Sequence, residues 1–415
     1  MRNVVKIAAK NLLRYKRRTL LTTALIALGV LAVLLFIAVS GSFKSMMIGQ
    51  ITDSVMGHVQ IHRKGYVASI DNLPLNRNLS GTQMAKVEEI LRAEPAVESF
   101  TVRLKLGAMF SNFTETTNIR LNAVVPAQEF QTMPLLASRI SEKKEGEDLL
   151  PPGSILVPEL LAKGMGVKVG DTVVLVATNR DGSVNGKPFV VQGVLEGISG
   201  PGGRDGFIAL NDARELLRIE GVEISEVAVR LKDIGRLPAV TASLEQQLGA
   251  MTNKEGKPVF EVHSWEKLSP FYNIARMIDL MTLFIKVMLV AIVLVSIMNV
   301  MIMAVYERIN EIGTIAAIGT TPGKILALFL AEGFLLAIVG TVTGTVLSLL
   351  AIAGLNSAEI TFNFGQQTGL LLQPQISLRQ IVPVVVTVIG IAVLASLQPA
   401  WKAAKMDPIT ALRHV

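Results

Sequence analysis

Cysteine is absent from the 415 residues, which excludes a disulfide framework and thiolate chemistry. Histidine is scarce, with four in all. His58 and His62 have ligand-like spacing, but their segment alternates as a strand, which sets them roughly 13 Å apart along one face. With no other ligand types nearby, no metal site is expected. Acidic residues are missing from residues 1–18, where seven cations stand: Arg2, Lys6, Lys10, Arg14, Lys16, Arg17 and Arg18. Between residues 41 and 279, 26 basic and 28 acidic side chains nearly cancel. The net charge of +7 is therefore a local flank, and no nucleic-acid partner is expected.

Long apolar runs are what the chain has instead. Half of its residues are hydrophobic, and the stretches 19–41, 280–306, 325–355 and 378–400 each supply the ~20 residues needed to cross a bilayer core. Four transmembrane helices follow. A cleavable signal is the rival reading of the first forty residues, since Ala38, Val39 and Ser40 resemble a cleavage site. The apolar run is too long for one, and its removal would leave an odd number of spans. Lys and Arg favour the cytoplasmic side. The loop 307–324 carries Arg308 and Lys324, the tail 401–415 carries Lys402, Lys405 and Arg413, and the loop 356–377 carries none. Both termini and 307–324 are thus expected inside, and 42–279 outside.

Residues 1–18 alternate apolar and basic positions at helical spacing and read as an amphipathic helix in the inner interface, basic face toward lipid headgroups. Beyond the first span, Phe43, Met46, Met47, Ile51 and Val55 keep helical spacing up to Gly57. A helix over 19–56 would be roughly 57 Å long. A similar approach over 270–280 precedes the second span, so two helical stalks are expected. Between them the patterns give an α+β domain. Strands are expected at 58–63, 97–109, 119–125, 172–177, 189–195, 207–210, 225–231 and 259–263, and helices at 82–93, 158–163, 212–219 and 238–248. Residues 126–220 read as an inserted subdomain.

Catalytic motifs fail on inspection. Gly319 to Lys324 imitates a phosphate-binding loop, but the spacing is one residue short and Ile325 stands where a magnesium-binding hydroxyl belongs. Gly197, Ser199 and Pro201 miss a nucleophile elbow because Pro201 replaces glycine. Glu332, two turns into the third span, is an ionisable group at costly depth. It reads as a helix-helix contact satisfied by a polar neighbour, with Lys324 close to the same interface, or as part of a substrate route or proton relay. Gly340 and Gly344 permit close backbone approach in the same helix, and Asn299 is a polar position in the second span. The turn-rich tip 179–187, with Asn179, Asp181, Gly182, Asn185 and Gly186, is a candidate docking hairpin for a partner.

Four spans, one large domain after the first, and the Glu307, Arg308, Glu311, Ile312, Gly313 loop together resemble the MacB/FtsX superfamily of ABC transporter permeases. Residues 9–19, Ala317 and Gly319 in the loop, and Pro399, Ala403, Ala404, Pro408 and Ala411 to Arg413 at the end carry the likeness across the chain. Within the superfamily the sequence is most similar to LolC/LolE-type lipoprotein-release permeases, through Ser40 to Phe43, Gly57 to Ile61, Gly166 to Asp171 and Trp265. The resemblance implies a non-catalytic permease of the bacterial inner membrane that binds no cofactor itself. ATP and magnesium would sit in a separate ABC ATPase, present in two copies. A second permease copy or paralogue would complete a dimer, with a periplasmic carrier or adaptor as a further partner. Glu307, Arg308, Glu311, Ile312, Gly313, Ala317 and Gly319 would form the ATPase-coupling helix. The function implied is extrusion or release of a lipoprotein or other hydrophobic substrate. The alternative is an FtsX-like regulator that activates a cell-envelope enzyme without transport.

Overall fold

A computed structural model describes residues 2–143, 148–196, 204–364 and 367–412. The near-elbow at 197–201 and Arg413 lie outside the described residues. The chain divides into two compact units, one of residues 1–45, 275–362 and 371–415 and one of residues 46–274 with 363–370.

The first unit is helical. Arg2–Arg14 is an amphipathic helix that buries Ala8 and Leu12 and leaves Lys6, Lys10 and Arg14 exposed. Four helices are long and apolar enough to cross a membrane: Lys16–Met56, Phe271–Glu307, Pro322–Ser357 and Leu378–Ala404. Each outruns the bare apolar stretch in the sequence, because flanking polar residues continue the backbone ladder once nucleated. Ile26, Val30 and Leu34 of the first span pack with Val293, Ile297 and Met301 of the second, and with Phe329 and Leu336 of the third. Small residues bring the backbones close. A Cβ on Gly344 would stand 2.6 Å from the Ala27 carbonyl oxygen, and one on Gly340 2.6 Å from Ile26. These two glycines thus seat the third span on the first. Gly333 plays the same part against Ser396 of the fourth span. At the end of the bundle away from residues 307–324, Lys44 Nζ donates to Asp279 at 2.6 and 2.7 Å, joining the first two long helices. The 356–377 loop holds two short strands, Thr361–Phe364 and Gln367–Leu371.

The second unit is the α+β domain. Its strands in chain order are β1 (Val59–Arg63), β2 (Leu79–Ser80), β3 (Val97–Ser111), β4 (Thr116–Val124), β5 (Ile140–Lys143), β6 (Ser154–Pro158), β7 (Thr172–Thr178), β8 (Val184–Leu195), β9 (Asp205–Ala209), β10 (Glu223–Ile224), β11 (Glu226–Leu231) and β12 (Phe260–Ser264). The main sheet runs β12-β1-β11-β3-β4-β9-β6-β8-β5, with β7 bridging β3 and β8. Strand β3 organises it. Alternation along β3 sends Leu104, Leu106, Ala108 and Phe110 into a core shared with Ile119, Leu121, Ile155, Val191 and Leu216. The expected insert, 126–220, does not build a sheet of its own. Its strands extend the same sheet through the parallel pairing of β9 with β4. The helix Gly81–Ala93 begins at a capping box between Ser80 and Gln83.

The opposite face of β3 carries charge. Arg103, 2% exposed, donates to Glu129 at 2.6 Å and to Glu226 at 2.9 Å, and to the carbonyl of Val55 at 2.5 Å. Glu226 is fully buried and also takes Lys105 at 2.6 Å and His62 at 3.5 Å. Burial alone would raise the Glu226 carboxyl; the Lys105 ammonium, the nearby His62 ring and the Arg103 guanidinium hold it well below the ordinary carboxylate range. Burial opposes the Arg103 charge, but Glu129 and Glu226 outweigh it and push Arg103 up. His58 bonds locally, its Nδ1 accepting from the Leu231 N–H at 2.9 Å.

Candidate functional site

Glu307, Arg308, Glu311 and Glu332 converge at one end of the helical unit. Phe271–Glu307 stops at Arg308, whose φ of −115° breaks the helix before Ile309–Ala317 begins. That break turns the Arg308 side chain inward, to 3% exposure. Its Nη1 donates to both Glu332 oxygens, at 2.8 and 3.1 Å. Glu332 is fully buried and further accepts from Asn11 Nδ2 at 2.7 Å, with Arg18 Nη2 at 3.8 Å. A carboxylate at this position is thus compensated on three sides, as its burial requires.

Lys324 does not supply the polar neighbour of Glu332. It stands eight residues earlier on the same helix, roughly 12 Å along the axis, and is exposed. The partner instead comes from the loop itself.

Tyr15 forms the lid of the cluster. The Arg308 guanidinium lies 4.4 Å from its ring centre and that of Arg18 5.3 Å. The Tyr15 hydroxyl donates to Glu311 at 3.1 Å. Glu311 also faces Arg14 at 3.5 Å and Arg308 at 3.8 Å, while Glu307 faces Arg18 at 3.6 Å. The amphipathic helix and the start of the first span therefore belong to the site. Sequence reasoning assigned residues 1–18 an anchoring role alone; the available signal was Asn11, a neutral amide one position from the buried stripe of Ala8 and Leu12.

The short helix Ile309–Ala317 is two-faced. Ile312 and Gly313 are buried, and Ile312 joins the core of the bundle. Thr314, Ile315, Ala317 and Ile318 are exposed, Ile318 at 79%. Gly319 ends the segment at φ +93°, a left-handed conformation that favours glycine, and its N–H donates to the Ala316 carbonyl at 3.0 Å.

In the α+β domain, the 179–187 tip is a tight turn between β7 and β8. Gly182 has φ +85°, and Asp181 accepts from the Ser183 N–H and hydroxyl at 2.9 and 2.7 Å. Asp181 and Gly182 are exposed, whereas Asn179 is buried. Asn185 and Gly186 lie in β8, and Asn185 donates to the Leu216 carbonyl at 3.0 Å. The exposed tip is thus shorter than the sequence pattern, and Arg180 ties it to Glu223 at 3.1 Å.

Four helices long and apolar enough to cross a membrane surround a buried ionic cluster, and a large α+β domain follows the first of them. Residues 19–247 match the MacB-like periplasmic core domain and residues 283–408 the FtsX-like permease C-terminal domain. The chain belongs to this MacB/FtsX family of ABC transporter permeases. It is 25% identical to the lipoprotein-releasing system transmembrane protein LolC of Neisseria meningitidis, over 95% of this chain and 94% of that one. It is 25% identical to the macrolide export ATP-binding/permease protein MacB of Hahella chejuensis, over 98% of this chain and 59% of that one. To the pyoverdine export ATP-binding/permease protein PvdT of Pseudomonas putida it is 29% identical, over 60% of this chain and 37% of that one. Among solved structures, the periplasmic region of MacB from Actinobacillus actinomycetemcomitans is similar at a TM-score of 0.34 and 13% identity, covering 52% of this chain and 92% of that one.

Proposed function

We propose that this chain is the membrane subunit of an ABC transporter that releases a lipoprotein, or another acylated hydrophobic substrate, from the outer leaflet of a bacterial inner membrane. Two copies of a separate ATPase bind ATP and magnesium and press on residues 307–324 from the cytoplasm; two permease chains, identical or related, complete the assembly. The positive-inside count supports that orientation, with both termini cytoplasmic and the large domain periplasmic. The observation that carries the reading is Arg308: it links the exposed face of Ile309–Ala317 to the buried carboxylate of the third span. A push on Ile315 or Ile318 reaches the bundle through that bond and through Tyr15.

An apolar pocket of about 310 Å³ near the far ends of the first two spans, lined by Phe36, Val39, Phe43, Met281, Phe362 and Leu372, suits an acyl chain. The exposed tip at residues 180–182 is the docking point for a periplasmic carrier or adaptor. The test is co-purification with a co-expressed ABC ATPase, followed by release of a triacylated lipoprotein from proteoliposomes. Retention of the ATPase and ATP-dependent release are expected. An ATPase that fails to bind, or release that survives Ile315→Asp with Ile318→Asp, would overturn the assignment.

A further inference from the structure

Where the start of the first span meets the last turns of the second, a groove of about 950 Å³ opens beside the ionic cluster. Its wall is apolar and faces away from the protein core: Leu21 and Met303 are 64% and 62% exposed. Its rim carries Arg14, Lys16, Arg17 and Arg18 against Glu307 as the one lining carboxylate. Arg14 and Arg18 are drawn to Glu311, Glu307 and Glu332. Lys16 and Arg17 are exposed and have no carboxylate partner among the described residues. Asn299 adds a neutral polar group from the second span.

A soluble anion would satisfy the rim and leave the wall wet, and an uncharged amphiphile would cover the wall and leave the cations uncompensated. A molecule bearing a phosphate over acyl chains meets both demands, and basic pockets between helices at the interface suit such headgroups. We propose that the groove is a binding site for one anionic phospholipid, its phosphate held by Lys16 and Arg17 and its chains laid along Leu21 and Met303. Because Arg18 and Tyr15 line the groove and also reach the Glu332 cluster, the occupied lipid sits within reach of the coupling bond. The site depends on the spans crossing a membrane and not on any ATPase, so its failure leaves the transport reading standing.

The test uses the full-length chain in phosphatidylcholine nanodiscs doped with phosphatidylglycerol, followed by release into detergent and native mass spectrometry of retained lipid. Phosphatidylglycerol is expected to be retained in preference to phosphatidylcholine. Lys16→Gln with Arg17→Gln should cut its retention roughly thirtyfold. Leu21→Gln should cut it severalfold without changing charge. Lys6→Gln with Lys10→Gln removes equal charge from the same flank and should leave retention unchanged. Equal loss in that control would overturn the site in favour of general surface charge. Displacement of the lipid by millimolar inorganic phosphate, or equal retention of both lipids, would overturn it as well.

Discussion

Glu332→Gln is the sharpest probe of the ionic cluster. Glutamine keeps the volume and an acceptor for Asn11, so the change isolates the charge. It leaves the buried Arg308 guanidinium without its bidentate acceptor at 2.8 and 3.1 Å, and Arg18 with only Glu307 at 3.6 Å. Breaking a buried pair by removing one partner costs about 3–5 kcal/mol, because an uncompensated charge remains. Replacing both partners with apolar residues of similar size is near neutral by the same account. Arg308→Met with Glu332→Leu should therefore recover most of the stability lost in either single variant. The assay is unfolding in mixed micelles for wild type, Arg308→Met, Glu332→Leu and the double. Single and double losses that add to within about 0.5 kcal/mol would show no coupling between the two residues and refute the reasoning. Functionally, the recovered double variant should still have lost substrate-stimulated ATP hydrolysis by the partner ATPase. Intact stimulation would mean that the bond stabilises the bundle without transmitting force.

The α+β domain should respond at its own buried charge. Glu226→Gln in the full chain should cost about 3–5 kcal/mol of domain stability, read by thermal unfolding. Since the folded-state carboxyl of Glu226 is depressed, its stabilisation is present above the unfolded value of about 4.5 and is lost as pH falls through the folded value; the variant should lack that acid limb. Gly344→Leu should separate the first and third spans, because the added carbon meets the Ala27 backbone at 2.6 Å; a loss of about 1–3 kcal/mol is expected. Gly354→Leu, with nothing within 4 Å of the added carbon, is the neutral control. Met281→Asp in the apolar pocket should abolish lipoprotein release in proteoliposomes while sparing basal ATP hydrolysis.

Local pattern and tertiary consequence separate cleanly in this chain. The spans were legible because the bilayer demands a fixed length of apolar helix, and β3 and β4 because alternation marks a half-buried strand. The glycine spacing at Gly340 and Gly344 showed close approach, yet nothing in it named the first span as the partner. The short strands β5 and β6 were missed: β6 is fully buried with no alternation to detect, and β5 is a four-residue edge. The continuity of the insert with the main sheet rests on β9 pairing parallel to β4 and on β7 pairing with the end of β3, contacts with no local signature. The same limit hid the partner of Glu332. Lys324 was the nearest cation along the helix, but a helix carries residues eight apart to different depths. Arg308 reaches Glu332 only because the chain breaks at Arg308 and returns antiparallel, and Asn11 arrives from 321 positions away. A costly charge in an apolar run announced that a partner existed; only the packing of the helices decided which one. The Arg308 side chain, which begins the loop, ties the buried Glu332 to the start of Ile309–Ala317, a helix whose outer face is exposed.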